Sequence, residues 1–109
     1  MRKLMIIAAA ALAFGSVAAN AEPLQDGARY FQRADYNRAL ASWRPLAVQG
    51  NPVAQNNLGI MYLDGKGVPQ NTSEAVRYLS LSAAAGSSLG QNNLGGLYRD
   101  GKGVPPGGK

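Results

Sequence analysis

The feature that most constrains the fold of this chain is a long internal repeat. Residues 55–69 read QNNLGIMYLDGKGVP and residues 91–105 read QNNLGGLYRDGKGVP, so twelve of fifteen positions are identical at an offset of 36 residues. A fixed period of roughly 20 to 50 residues is typical of repeat arrays, in which each unit is one supersecondary element that packs on its neighbours. The chain is therefore predicted to be an array of similar units.

Each unit resolves into two helices. In the first copy Asn51 has the chemistry of an N-cap, Pro52 suits the first helical position, and Gly65 supplies a left-handed stop after an apolar stripe at helical spacing. Similar signals recur along the chain and predict five helices in antiparallel succession, and so an all-α fold. The expected ranges are 24–33, 35–50, 51–65, 71–86 and 87–101.

Two glycines, Gly59 and Gly95, lie in the middle of predicted helices, where glycine costs about 1 kcal/mol relative to alanine. A loop at either position conflicts with the apolar stripe that runs through it. We expect instead that the missing Cβ lets a partner helix approach closely at both positions.

The chain has no histidine and no cysteine, which narrows the chemistry that it can perform. It has no imidazole base, no thiolate nucleophile and no His/Cys metal site. Its carboxylates show no catalytic spacing, and the turn DGKGVP lacks the length and the following Ser or Thr of a phosphate-binding loop. We predict a protein that is not an enzyme and that has no catalytic residue, no bound metal and no cofactor.

Residues 1–21 predict a secretory signal peptide. They read MRKLMIIAAAALAFGSVAANA, with two positive charges, an apolar stretch and a small-x-small sequence that ends at Ala21. The strongly apolar part is shorter than the roughly 20 residues that span a bilayer. Cleavage after Ala21 is expected to leave a protein that is periplasmic or secreted, with no stable membrane insertion.

The basic residues do not predict a nucleic-acid interface. The chain has eleven Lys and Arg against six Asp and Glu, and removing Arg2 and Lys3 lowers the formal net charge from +5 to +3. The remaining basic residues are scattered, whereas phosphate binding needs a clustered patch. We therefore expect no nucleic-acid partner.

The repeat resembles the Sel1-like repeat family, which is related to the tetratricopeptide repeats. The resemblance rests on a Leu-Gly pair, a Tyr three residues after that Gly and a Gly-x-Gly-Val turn, which occur twice at the right spacing. It covers residues 53–105 strongly and residues 24–50 more loosely. It implies a right-handed α-α superhelix, or solenoid, of antiparallel helix pairs with about two repeats. The positions that match the family's packing and turn residues are Leu58, Gly59, Tyr62, Gly65, Gly67 and Val68, and again Leu94, Gly95, Tyr98, Gly101, Gly103 and Val104.

The predicted organisation has four segments, the last of which is incomplete. They are a signal peptide (1–21), a degenerate N-terminal helix pair (22–50), a Sel1-like repeat (51–86) and a partial second repeat without its second helix (87–109). Because repeat arrays normally end in a polar cap, Leu94, Leu97 and Tyr98 are expected to be partly uncovered. Either another molecule covers this helix, for example by self-association, or the chain is a truncated copy of a longer protein.

The resemblance implies a protein–protein interaction module or adaptor of the cell envelope. At about 100° per residue, one row of side chains lies opposite the apolar stripe of each first helix. In related solenoids the first helices line the concave face, so this row is the predicted surface for a peptide or protein partner. The row contains Asn56, Ile60 and Leu63 in the first copy and Asn92, Gly96 and Arg99 in the second.

The same helical pattern also places a second pair of asparagines. Asn57 and Asn93 lie at the edge of the buried stripe, where a structural hydrogen bond is favoured over contact with a ligand. The alternatives for the function are a truncated copy without function, or a β-lactam-binding or hydrolysing envelope enzyme, which cysteine-rich relatives suggest. Those relatives depend on disulfide-stapled repeats, and this chain has no cysteine.

Overall fold

The computed structural model describes residues 22–102, in which all regular structure is helical. The predicted signal peptide (1–21) and the residues from Gly103 onward lie outside this range. The helices are α1 (22–32), α2 (Tyr36–Val48), α3 (Pro52–Asp64), α4 (Thr72–Ala84) and α5 (Ser88–Arg99). The all-α class and the five predicted helices are confirmed. Within residues 22–102, no helix has the length and apolar character needed to cross a membrane.

Side-chain caps begin the helices where the sequence predicts them. The Asn51 side-chain oxygen accepts hydrogen bonds from the backbone N–H groups of Val53 and Ala54, at 2.9 and 3.0 Å. The Asn71 side chain likewise accepts from the N–H of Glu74 at 3.0 Å. Each cap satisfies backbone donors that the first turn of a helix leaves without a partner. The helix starts therefore follow from local chemistry.

The turn between α3 and α4 requires glycine for two different reasons. Gly65 ends α3 in the left-handed conformation, with φ of 69°, as predicted. Gly67 also has a positive φ, of 76°, and a Cβ at this position would lie 2.9 Å from the Cβ of Tyr36. The turn therefore packs directly on α2, and a side chain at Gly67 would both strain the backbone and push the turn away.

The helices pack in succession and enclose one core. Within the described residues, α3 packs between α2 and α4, and α5 packs on α4 and also contacts α3. Trp43 of α2 lies in this core, only 4% exposed, and its indole N–H donates to the carbonyl oxygen of Leu24 at 3.1 Å. The Phe31 ring lies beside it, with 6.0 Å between ring centroids. Trp43 therefore attaches α1 to the rest of the array.

The close-approach prediction is confirmed at Gly59 and wrong at Gly95. A Cβ at Gly59 would lie 2.8 Å from Cγ of Leu79 and 3.3 Å from the carbonyl oxygen of Ala75, so α4 crosses directly over this glycine. Among the described residues, a Cβ at Gly95 would meet no atom beyond its own helix backbone within 4 Å. The difference arises because α4 follows α3 and covers it, whereas no helix follows α5 within residues 22–102.

Another close approach, at Gly90, escaped the sequence pattern. A Cβ at this position would lie 2.5 Å from Oγ of Ser82 and 2.8 Å from the backbone nitrogen of Ala83. The Ser82 hydroxyl is itself fixed, because it donates to the carbonyl oxygen of Pro52 at 2.8 Å. Gly90 lies 36 residues after the fully buried Ala54 and so holds the same position in the repeat. Two small residues at one repeat position are the sequence feature from which this close contact could have been predicted.

Candidate functional site

The first helices of successive pairs, α1, α3 and α5, line a groove with two cavities that share Ile60. The α1–α3 cavity has a volume of about 240 Å³ and the α3–α5 cavity about 280 Å³. The first is lined by Ala28, Phe31, Gln32, Trp43, Asn57 and Ile60. The second is lined by Ile60, Leu63, Asn92, Asn93, Gly96, Leu97, Arg99, Asp100 and Lys102. We call the two cavities together the groove.

The α1–α3 cavity combines aromatic surface with amide groups. Phe31 and Trp43 supply the aromatic surface, and Ile60 adds an aliphatic side chain. The Trp43 indole N–H is already bonded to a backbone carbonyl, so the indole offers apolar surface to the cavity. Gln32 is exposed and Asn57 is half-buried, so their amides remain within reach of a ligand. Such a cavity suits an apolar side chain flanked by hydrogen-bonding groups.

The α3–α5 cavity is more polar and carries charge at its rim. Arg99 and Lys102 are both exposed, and Asp100 lies between them in sequence. The guanidinium of Arg99 lies over Gly96, 3.6 Å from the position that a Cβ would take there. Within residues 22–102, neither Arg99 nor Lys102 forms an ion pair. The rim therefore presents two cations and one anion to a ligand.

The structure brings together five of the six residues in the predicted binding row. Ile60, Leu63, Asn92, Gly96 and Arg99 all line the α3–α5 cavity. Their spacing along the two helices places them on the same side of the array, because α3 and α5 are neighbours in space as well as in the repeat. The row is therefore a single surface.

The prediction for the sixth residue, Asn56, is wrong. It was expected in the outward row, but it is only 5% exposed and lies at the contact between α3 and α5. The physical reason is that α5 packs against this side of α3. A helical wheel drawn for one helix carries no information about a neighbouring helix. Asn56 therefore cannot present its side chain to a partner in the way that the sequence predicted.

Three asparagine side chains form a hydrogen-bonded row across α3 and α5. Nδ2 of Asn56 donates to Oδ1 of Asn57 at 3.4 Å, and Oδ1 of Asn56 accepts from Nδ2 of Asn93 at 2.8 Å. The structural hydrogen bond expected at Asn93 is therefore present. Since Asn57 lines one cavity and Asn93 the other, the row connects the two parts of the groove.

The motif residues of the first copy take packing and turn positions. Leu58 is fully buried, and the ring of Tyr62 stacks on that of Tyr78, with 5.7 Å between centroids and 11° between planes. In the second copy the corresponding Tyr98 is 45% exposed and Leu94 is half-buried. Gly101 ends the second copy's helix with φ of 73°, and Gly103 lies outside the described residues.

The prediction for Leu97, in the second copy of the repeat, is also wrong. Leu97 was expected to be partly uncovered, but it is only 4% exposed. The reason is that α5 packs on both α4 and α3, so its buried side is covered by the preceding repeat. The open side of α5 is the one that carries Gly95 and Tyr98.

The ion pairs of residues 22–102 lie outside the groove. The clearest pair joins Glu74 and Arg77 on α4. The guanidinium of Arg77 donates two hydrogen bonds to the carboxylate of Glu74, at 3.0 and 3.1 Å. These bonds lower the pKa of Glu74 and raise that of Arg77. The other two pairs join Asp26 to Arg29 and Asp35 to Arg38. The charges at the groove rim are therefore not neutralised by these contacts.

Comparison with known families assigns the repeats. The Sel1 repeat family matches residues 52–87 and 88–107, segments of 36 and 20 residues that together cover 56 of the 109. The first segment contains α3 and α4, and the second begins with α5; the pair α1 and α2 lies outside both, so its description as a degenerate repeat stays a prediction. No curated protein gives a significant match. Sel1 repeats are generally protein–protein interaction modules and are typically non-catalytic. The chain belongs to the Sel1 repeat family.

Proposed function

We propose that the protein is a non-enzymatic interaction module or adaptor that binds a segment of polypeptide in the groove. The observation that carries the proposal is the pair of cavities that meet at Ile60, which combine apolar walls with amide groups. Ligand sites are typically concave, largely apolar and provided with a few placed polar groups. Membership of a family of interaction modules supports the same class of function.

The proposal includes a place in the cell envelope. It is supported by residues 1–21, whose charged start, apolar stretch and small-x-small end are typical of a secretory signal peptide. Cleavage after Ala21 would release a chain that begins at Glu22, which is helical in the structure. The partner would then be a protein or peptide of the periplasm or of the cell exterior.

The substitution Ile60→Glu tests groove binding. We expect it to weaken the binding of a polypeptide segment about tenfold or more, because a carboxylate would be desolvated where the two cavities meet. The protein, expressed from its full sequence, is first used to select binders from a displayed random-peptide library. The affinity of the best synthetic peptide is then measured by fluorescence polarisation.

Two control variants make this test specific. Leu81→Glu places the same charge on an exposed apolar residue of α4 outside the groove, and it should leave the affinity unchanged. Val48→Glu alters the outer face of α2, where Val48 is 80% exposed beside Pro45. Binding that Val48→Glu abolishes and Ile60→Glu preserves would place the ligand on α2 and overturn the proposal.

We also include self-association through the open face of α5 in the proposal. Tyr98 is 45% exposed, and within residues 22–102 a Cβ at Gly95 would meet no atom beyond its own helix backbone within 4 Å. Two such faces would form a self-complementary contact between two copies. Sedimentation velocity should show a dimer that Tyr98→Glu converts to monomer. A monomer at every concentration contradicts self-association and leaves groove binding untouched.

A further inference from the structure

The asparagine row gives the groove a fixed hydrogen-bonding pattern. Asn56 is buried and uses both ends of its amide, one toward Asn57 and one toward Asn93. The 2.8 Å bond orients Asn93 closely and the 3.4 Å contact orients Asn57 more loosely, and breaking either would leave a buried polar group without a partner. Asn56 is therefore a positioning residue for the two asparagines that reach the cavities.

Those two asparagines present complementary groups to a ligand. Asn57 accepts from Asn56 with its oxygen and keeps both Nδ2 hydrogens, whereas Asn93 donates one Nδ2 hydrogen and keeps its oxygen acceptor. Within residues 22–102 these remaining groups form no other hydrogen bond. Turning all three amides by 180° would exchange the two roles but would still leave at least one donor and one acceptor. The groove therefore offers at least one donor and one acceptor, whichever way the row is oriented.

We infer that the groove holds a peptide in an extended conformation by its main chain, with Asn57 and Asn93 bonded to backbone groups of the peptide. This inference rests on the proposed function and specifies its ligand. Each peptide residue other than proline carries one backbone donor and one acceptor, which match the pair that the row leaves available. A helical peptide would use these groups within its own helix, so only an extended segment has them free.

The walls of the groove select the side chains of that segment. The α1–α3 cavity, with Phe31, Trp43 and Ile60, takes an aliphatic or aromatic side chain beside Asn57. The rim of the α3–α5 cavity carries Arg99 and Lys102 against one carboxylate, so an acidic side chain beside Asn93 is complementary to it. The ligand class is thus an extended peptide with an apolar residue and a neighbouring Asp or Glu.

The experiment uses short synthetic peptides with blocked ends that contain one apolar and one acidic residue. The best binder is compared with copies that are N-methylated at one backbone amide each. We expect methylation at one or two positions to weaken binding roughly three- to tenfold, as the loss of a backbone hydrogen bond implies. Methylation at the other positions should have little effect. Replacing the acidic residue by lysine should also weaken binding.

Variants of Asn57 and Asn93 test whether the loss of affinity on methylation arises from the asparagine row. In Asn93→Ala, methylation at the sensitive position should weaken binding much less than in the wild type, because the acceptor of that peptide N–H is gone. Asn57→Ala removes a donor to a peptide carbonyl and should keep the methylation penalty; if the row is turned by 180°, the two variants exchange these results. This difference is a readout that a loss of stability would not produce. Asn37→Ala, on the exposed side of α2, is the matched control and should keep the full methylation penalty.

The outcomes separate the inference from the proposed function. Peptides that bind in an Ile60-dependent manner but tolerate methylation at every position would overturn main-chain recognition and leave groove binding intact. The same holds if helical peptides bind more tightly than extended ones. If no peptide binding depends on Ile60, both the inference and the proposed function fail. Equal binding of acidic and lysine peptides would overturn the role given to Arg99 and Lys102.

Discussion

Replacing Trp43 with alanine is expected to lower the free energy of unfolding by about 3–5 kcal/mol. The side chain is only 4% exposed, packs beside Phe31 and donates its indole N–H to the carbonyl oxygen of Leu24. Its removal would leave a cavity in the core and an acceptor without its partner, and it would detach α1. Because a small domain has only about 5–15 kcal/mol of stability, much of the protein would unfold. Urea denaturation followed by far-ultraviolet circular dichroism measures this loss.

A conservative variant separates packing from the hydrogen bond. Trp43→Phe keeps most of the apolar contact but removes the indole N–H together with part of the ring, so we expect a loss of about 1–3 kcal/mol. If the free energy of unfolding of Trp43→Ala lies within about 1 kcal/mol of the wild-type value, Trp43 does not hold α1 in place. The α1–α3 cavity, which Trp43 lines, would then lack its wall.

The same substitution at the two equivalent motif glycines should have opposite effects. Gly59→Leu is expected to lower the free energy of unfolding by about 1–3 kcal/mol or more, because even its Cβ would lie 2.8 Å from Leu79 and α4 would have to move. In the monomer, Gly95→Leu should raise it by roughly 0.5–1 kcal/mol, because the helix gains a better helix former and the position is open. Denaturation curves of both variants and the wild type give the comparison.

This pair of variants checks the description of α5 directly. Gly59 and Gly95 hold the same place in the repeat, 36 residues apart, so the sequence context is matched. If Gly95→Leu destabilised the protein as much as Gly59→Leu does, a helix or another molecule would have to cover α5 as α4 covers α3. If Gly59→Leu were neutral, the close contact between α3 and α4 would be wrong.

The sequence predicts the helices well because their ends depend on local chemistry. Asn51 and Asn71 cap the turns that directly follow them, and Gly65 adopts the left-handed conformation that ends its own helix. None of these effects requires knowledge of a distant residue. The repeat period then predicts which helices are neighbours.

The errors arise where the environment comes from a distant helix. Asn56 points away from the stripe of its own helix, but α5 covers it from 37 residues away, through Asn93. Gly95 shares its motif position with Gly59 but not its neighbour, because repeat symmetry transfers residue types and not the helices that surround them. The α1–α3 cavity was missed for a similar reason: Phe31 lies in α1 and Trp43 in α2, so the pattern of a single helix could not show that they line one cavity.

The proposed groove is tested most directly by chemical-shift mapping in NMR spectra, with the best synthetic peptide titrated into the isotope-labelled protein. We expect the largest shifts at the side-chain amides of Asn57 and Asn93, at the backbone amide of Ile60 and at the indole N–H of the single tryptophan, Trp43. Val48, on the outer face of α2, should not shift. Large shifts at Val48 with none at Asn57, Ile60 or Asn93 would contradict binding in the groove.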